Sequence, residues 1–213
     1  MKLKGLDYLD ISSNFSDDEI MIQHSVREFV DNEVMPIIDE HFKDGTFPSE
    51  LIPQFAEMNL LGVNLPEKYE CGGMSHVAYG LVCQELERCD SGVRSFVSVQ
   101  GSLVMYPIYA YGSEEQRNKW LPKLASGDAI GCFGLTEPDY GSNPGGMVTT
   151  AKKTDGGYTL NGAKMWITNG TVAEVAVVWA KTDDGVVRGF LVEKGMEGFS
   201  APKMKNKWSL RAS

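Results

Sequence analysis

Between Ile22 and about Gly127 the apolar residues return every three or four positions, the spacing of one face of an α-helix; beyond Gly127 they alternate singly, the spacing of one face of a strand. Ser16-Asp17-Asp18-Glu19 has the form of a capping box, in which a serine hydroxyl and a glutamate carboxylate each satisfy a free N–H of the first helical turn. Ile22, Val26, Phe29, Val30 and Val34 follow at helical spacing until Pro36. A second helix is predicted from Ser49, with Leu51, Ile52, Phe55 and Met58 on one face, ending near Gly62. Ser75 opens a third, through Val77, Leu81, Val82 and Leu86. The fourth, from about Val93 to Tyr109, is apolar nearly all round and so is expected to be buried, with Ser95, Ser98, Gly101 and Ser102 leaving room for close approach. Ser113-Glu114-Glu115-Gln116 caps a fifth, whose register Leu121-Pro122 disturbs.

The stretches 129–136, 151–154, 158–160, 164–168, 175–181 and 187–193 alternate or are rich in β-branched and aromatic residues. Asp155-Gly156-Gly157, Asn161-Gly162, Asn169-Gly170 and Asp183-Asp184-Gly185 separate them as turn signals. Helices followed by strands imply an α+β fold: an all-α helical domain over residues 1–127, then an antiparallel β-domain over 128–213, divided near Ser126-Gly127-Asp128.

Charge and composition mainly exclude. A chain of 213 residues buries enough surface for a core without staples. Asp plus Glu number 29 against 20 Lys plus Arg, a net charge of −9, which argues against nucleic acid as a partner, since phosphate binding needs clustered cations. No run approaches the ~20 apolar residues of a membrane span. Residues 1–7 lack the apolar stretch of a signal peptide, so a cytoplasmic location is expected, or a mitochondrial matrix if a transit peptide has been trimmed. Cys71, Cys83, Cys89 and Cys132 form no C-x-x-C pair and read as reduced, buried small hydrophobes. His24, His41 and His76 lie far apart, and no metal site is expected. There is no G-x-G-x-x-G loop, Walker lysine loop or G-x-S-x-G elbow.

One dense run stands out, residues 132–146, which begins as a strand and becomes a glycine-rich, hydroxyl-bearing loop; read alone, it could be no more than a long turn. Gly134-Leu135-Thr136-Glu137-Pro138 with Gly141-Ser142 resembles the first signature of the acyl-CoA dehydrogenase family. Leu160-Asn161-Gly162-Ala163-Lys164-Met165-Trp166-Ile167-Thr168-Asn169 is similar to that family's second flavin-contacting stretch. The order of the parts matches as well, so the resemblance covers nearly the whole chain. Within the family, Val93-Arg94-Ser95, Val99-Gln100-Gly101-Ser102-Leu103-Val104-Met105, Pro107-Ile108-Tyr109-Ala110-Tyr111-Gly112 and Ser209-Leu210-Arg211-Ala212-Ser213 are most similar to the glutaryl-CoA dehydrogenase branch.

The resemblance implies a three-part flavoenzyme whose C-terminal helical bundle is missing from residues 1–213. The catalytic glutamate belongs to that portion, so no catalytic residue is expected in this chain. The implied cofactor is FAD. Phe133, Leu135 and Thr136 would line one side of the isoalloxazine, with backbone N–H groups and the Thr136 hydroxyl aimed at ring heteroatoms, where donors stabilise the reduced ring. Gly134 and Gly141 would let the backbone approach the flat cofactor. Trp166 would pack on the flavin beside Ile167, and Thr168 would bond its N5 region or ribityl side; as the end of a strand, Trp166 and Thr168 would share a face. Trp179 is assigned to packing. Ser142 would meet the flavin loop and the pantetheine or phosphate portion of CoA, although Asn143 stands where many members carry Asp. Glu137 reads as a loop-fixing acceptor in preference to a base.

Arg94 has two readings: an i,i+4 pair with Asp90, or a guanidinium fork for the far carboxylate of a dicarboxylyl thioester, helped by Ser95 and Ser98. The implied activity is α,β-dehydrogenation of an acyl-CoA, glutaryl-CoA in the first instance, with or without decarboxylation. An electron-transfer flavoprotein would accept the electrons, and the enzyme would be a homotetramer. The alternatives are an inactive flavin- or CoA-binding fragment and a dehydrogenase of short monocarboxylic acyl-CoA.

Overall fold

A computed structural model describes residues 7–213; the expectation about the N-terminal segment rests largely on residues 1–6, which lie outside the described residues. The helices form where caps and apolar spacing agree. In α1 (Asp17–Phe29) the Ser16 hydroxyl accepts the Glu19 N–H, and the Glu19 carboxylate accepts the Ser16 N–H at 3.0 Å. A π turn, Val30–Val34, continues it. Then come α2 (Ile38–Asp44), α3 (Ile52–Glu57), α4 (His76–Cys89) capped by Ser75, α5 (Ser91–Ser98), α6 (Tyr106–Tyr111) and α7 (Glu114–Ala125), which opens on the Ser113 capping box.

Several bounds differ from the sequence expectation. The helix expected to reach Gly62 stops at Glu57, because Asn59 turns into the left-handed region at φ 57°. The helix expected over 93–109 is α5, a π turn (Val99–Met105) and α6 end to end. Asp90 starts it early by accepting the N–H groups of Gly92 and Val93, and Pro107 has no N–H to give an unbroken ladder. Pro122, by contrast, is absorbed inside α7.

Beyond residue 130 the strands are β1 (Gly131–Gly134), β2 (Thr150–Thr154), β3 (Gly157–Asn161), β4 (Val175–Thr182) and β5 (Val187–Glu193). The sheet is mixed, where an antiparallel one was expected. Central β4 pairs antiparallel with β5, but parallel with β1 along Gly131↔Val175 to Gly134↔Val178, and its end pairs parallel with β2. Only the hairpins follow the turn signals; β1 and β2 reach β4 through long connections, which permit parallel pairing. The stretch 164–168 lies in one of those connections and is irregular, not a strand.

One core lies among the helices around Val30, Phe55, Leu86 and Phe96; a second packs Met105, Leu121 and Leu124 against Val175 and Val177 of the sheet. Gln100 joins the two parts. Fully buried, its amide donates to the carbonyls of Leu124 and Ala129, both at 2.9 Å, and its oxygen accepts the Gly131 N–H at 2.8 Å. A Cβ at Gly131 would lie 2.4 Å from Val104 Cγ1, so β1 can press on the π turn only without a side chain there. Gln100→Leu would strand two buried carbonyls and one N–H, each costing about 1–3 kcal/mol. The expected loss is about 3 kcal/mol or more, read as a lower urea midpoint; an unchanged midpoint would refute the role of this joint. Residues 199–213 return to the helices: Arg211 donates to the carbonyls of Phe42 and Lys43 at the end of α2, and Ala212 is buried in the helical core.

Candidate functional site

The strand that Gln100 anchors ends at a cavity of about 290 Å³. Ser95, Val99 and Leu103, four residues apart on one helical face, form one wall. Phe133, Leu135 and Thr136 at the exit of β1 form a second, and Trp166, Ile167 and Thr168 a third. Phe133 is backed edge-on by Trp179, with ring centroids 6.0 Å apart, in keeping with a packing role for that tryptophan. The Val99 and Leu103 wall belongs to a π turn, a distortion often found at functional sites.

Trp166 and Thr168 share the cavity, but not as alternate residues of a strand. Trp166 sits at φ 63° and is 61% exposed, an uncommon conformation for a bulky residue and one that persists only when its surroundings impose it. Part of that imposition comes from Asn169, also left-handed at φ 67°, whose buried amide donates to the Gly131 carbonyl at 3.2 Å. The loop is thereby pinned to the first residue of β1.

Glu137 is buried and saturated. Its carboxylate accepts the N–H groups of Val148 (2.8 Å) and Thr149 (3.0 Å), the Thr149 hydroxyl, and the Lys164 ammonium at 2.8 Å. Burial alone would raise its pKa; the lysine, the hydroxyl and the two amides outweigh that and hold it at about 2. It fixes the loop and stays ionised. The Thr136 hydroxyl and N–H, in contrast, have no protein acceptor among the described residues.

Arg94 does not line the cavity, although the adjacent Ser95 does. Its partner is not Asp90, whose carboxylate is occupied in capping α5, but Glu87, which accepts Nε at 2.6 Å; Nη1 donates to Ser98 at 3.2 Å. No bond to Nη2 is found among the described residues. Hydrogen bonds from Ser91 and Arg94 hold the Glu87 carboxyl below its usual range. Ser95 Oγ and Thr168 Oγ1 lie 3.5 Å apart, so the Arg94 helix and the tryptophan loop meet.

Gly134, Gly141 and Ser142 are outside the cavity lining. Gly141 and Ser142 are exposed on the loop, and nothing lies within 4 Å of a Cβ at Gly141. The stem of Lys164 lies beside Gly134, 3.3 Å from its would-be Cβ. Sequence reasoning missed Lys164, Asn169, Glu87 and Gln100 as site-building residues. A buried acid at 137 demands a cation, and that was the available signal for Lys164.

All four cysteines are free, and burial pushes the thiols of Cys71, Cys89 and Cys132 up to about 11. Among the described residues no group of three His, Cys, Asp or Glu could hold a metal ion, and no helix is long and apolar enough to cross a membrane.

Two family models match the chain: "Acyl-CoA dehydrogenase, N-terminal domain" over residues 16–128 and "Acyl-CoA dehydrogenase, middle domain" over residues 132–213. An acyl-CoA dehydrogenase of Bacillus subtilis (strain 168) is 38% identical over 200 residues, 92% of this chain and 53% of the relative. The crystal structure of a glutaryl-CoA dehydrogenase from Mycobacterium smegmatis in complex with FADH2 matches with a TM-score of 0.94 at 55% identity, over 97% of this chain and 53% of that one. A butyryl-CoA dehydrogenase from Megasphaera elsdenii matches with a TM-score of 0.86 at 33% identity, over 93% of this chain and 54% of that one. The chain thus spans about half the length of these relatives. With both domain models matched in order around a shared cavity, the chain belongs to the acyl-CoA dehydrogenase family.

Proposed function

We propose that residues 1–127 and 128–213 are the helical and sheet domains of an FAD-dependent acyl-CoA dehydrogenase that acts on glutaryl-CoA. The observation that carries this reading is the convergence of two loops, 133–136 and 166–168, on one cavity beside the Arg94 helix. FAD, when bound, supplies a hydride acceptor. The residues present fit such a ring: Phe133, Leu135, Ile167 and Trp166 offer apolar surface, and the unpaired N–H and hydroxyl of Thr136 offer donors. Donors fixed there stabilise negative charge as it develops on the ring. Thr168 lies on the opposite loop, where its hydroxyl can bond the same ligand.

The acyl chain would run along Ser95 towards Arg94. Burying a second carboxylate in an apolar pocket is prohibitive without a partner, and a guanidinium supplies one in bidentate geometry. Glu87 takes Nε and Ser98 takes one Nη1 hydrogen, which orients the fork and leaves the second Nη1 hydrogen and those of Nη2 for the ligand. The 55% identity to the glutaryl-CoA enzyme, against 33% to the butyryl-CoA enzyme, favours the dicarboxylic substrate. An electron-transfer flavoprotein as acceptor and assembly as a homotetramer belong to the same proposal.

The test is made on the full-length protein. FAD should copurify with it, and glutaryl-CoA should reduce a dye acceptor with higher kcat/KM than butyryl-CoA. A preference for butyryl-CoA would move the assignment to a monocarboxylic substrate. No dye reduction with any acyl-CoA would sink the enzymatic reading.

A further inference from the structure

Lys164 holds a place that neither the substrate nor the ring-facing residues account for. Its side chain is only 11% exposed, and its ammonium donates to the Leu135 carbonyl at 3.0 Å and to Glu137 Oε1 at 2.8 Å, with a longer contact to Met147 Sδ at 3.9 Å. Its stem passes over Gly134, and the next residue, Met165, donates its N–H to the Thr136 carbonyl at 2.9 Å. The peptide units on both sides of Thr136 are therefore gripped from residues 164 and 165.

The carbonyl of Leu135 and the N–H of Thr136 belong to one planar trans peptide and point in opposite directions. Holding the carbonyl against Lys164 turns the Thr136 N–H the other way, and that N–H has no protein acceptor among the described residues. We infer that Lys164 is a positioning residue for the flavin: by clasping the Leu135 carbonyl it sets the orientation in which the Leu135–Thr136 peptide presents its N–H to the ring. This inference rests on the flavin reading above. Glu137 completes the clasp. It keeps the ammonium over the carbonyl and is itself held by Val148 and Thr149. Because residues 164–165 lead directly into Trp166, Ile167 and Thr168, the same clasp also fixes the distance between the two ring-facing loops.

A merely structural ion pair would affect folding and leave the flavin alone, so the test reads the flavin. In the full-length protein, Lys164→Met removes the clasp but leaves Glu137 buried and unpaired. The double variant Lys164→Met/Glu137→Gln removes both charges together and is the variant expected to fold. The measurements are the Kd of the apoprotein for FAD, the reduction potential of the bound flavin, and the apoprotein melting temperature. In the double variant the Kd for FAD should rise about tenfold or more, the loss of one well-aligned donor, and the potential should shift to more negative values.

Glu137→Gln alone removes the charge but keeps a side-chain oxygen that can accept from the ammonium, so Lys164 stays on the Leu135 carbonyl and the Kd should rise much less than in the double variant, even if the protein melts earlier. A double variant with parental Kd and potential would overturn the inference. So would a Glu137→Gln variant that loses FAD as fully as the double variant, since the effect would then not run through the Leu135 carbonyl. A parent that binds no FAD would overturn the flavin reading and this inference together; a parent that binds FAD with indifferent variants overturns this inference alone.

Discussion

Replacing Arg94 by methionine in the flavin-loaded full-length protein should lower kcat/KM for glutaryl-CoA about a hundredfold or more and leave butyryl-CoA nearly unchanged or improved. The magnitude follows from the proposed pair between Arg94 and the substrate carboxylate: removing one partner of a charge pair that the bound ligand desolvates costs about 2–5 kcal/mol, each 1.4 kcal/mol being a factor of ten. Methionine keeps the volume of the side chain and removes the fork. Glu87 loses its partner in this variant, but its side chain is 45% exposed and remains hydrated, so the fold should survive. Retained FAD content checks that point. If both substrate classes fall equally, Arg94 serves Glu87 and Ser98 as a structural partner, and the glutaryl assignment reverts to a generic acyl-CoA dehydrogenase.

The second large effect concerns residues 1–213 produced alone. They should show no acyl-CoA-dependent dye reduction, because by resemblance the base that removes the α-proton lies outside them, and loss of a general base costs 10²–10⁴-fold or more. The structure closes the obvious internal route. Glu137 follows Thr136 in the chain but does not line the cavity, and four donors saturate it and hold its pKa at about 2, far from the working range of a base. Glu87 is committed to Arg94 and Ser91. Measurable turnover by this chain with added FAD would contradict the assignment and return one of these carboxylates to a catalytic role.

Local rules were legible at several caps and one hairpin, where a residue's partners lie a few positions away, although the Asp90 cap on Gly92 and Val93 went unread. The Ser16 and Ser113 boxes and the Ser75 cap formed as their spacing predicts, because both partners of each bond are on the same turn. The β2–β3 hairpin followed its Asp155-Gly156 turn for the same reason. What failed was non-local. Nothing within 164–168 says that the strand period there is broken by an asparagine side chain reaching Gly131, 38 residues earlier. Parallel pairing of β1 with β4 is decided by long connections, which leave no signature in either strand. Of the two readings of Arg94, the pair with Asp90 does not form: its acid is Glu87 on the preceding helix, because Asp90 caps its own helix. The resemblance supplied the two loops that line the cavity; the buried hinge at Gln100 and the Lys164–Glu137 pair that hold those loops came only from the fold.

The central claim is that the cavity between residues 133–136 and 166–168 is one wall of a flavin site. The most direct measurement is a crystal structure of the full-length protein with FAD bound. The isoalloxazine should sit against Thr136 and Thr168 together, with the Thr136 N–H or hydroxyl within hydrogen-bond distance of the ring. A ring bound elsewhere, with both threonines remote from it, would contradict the account.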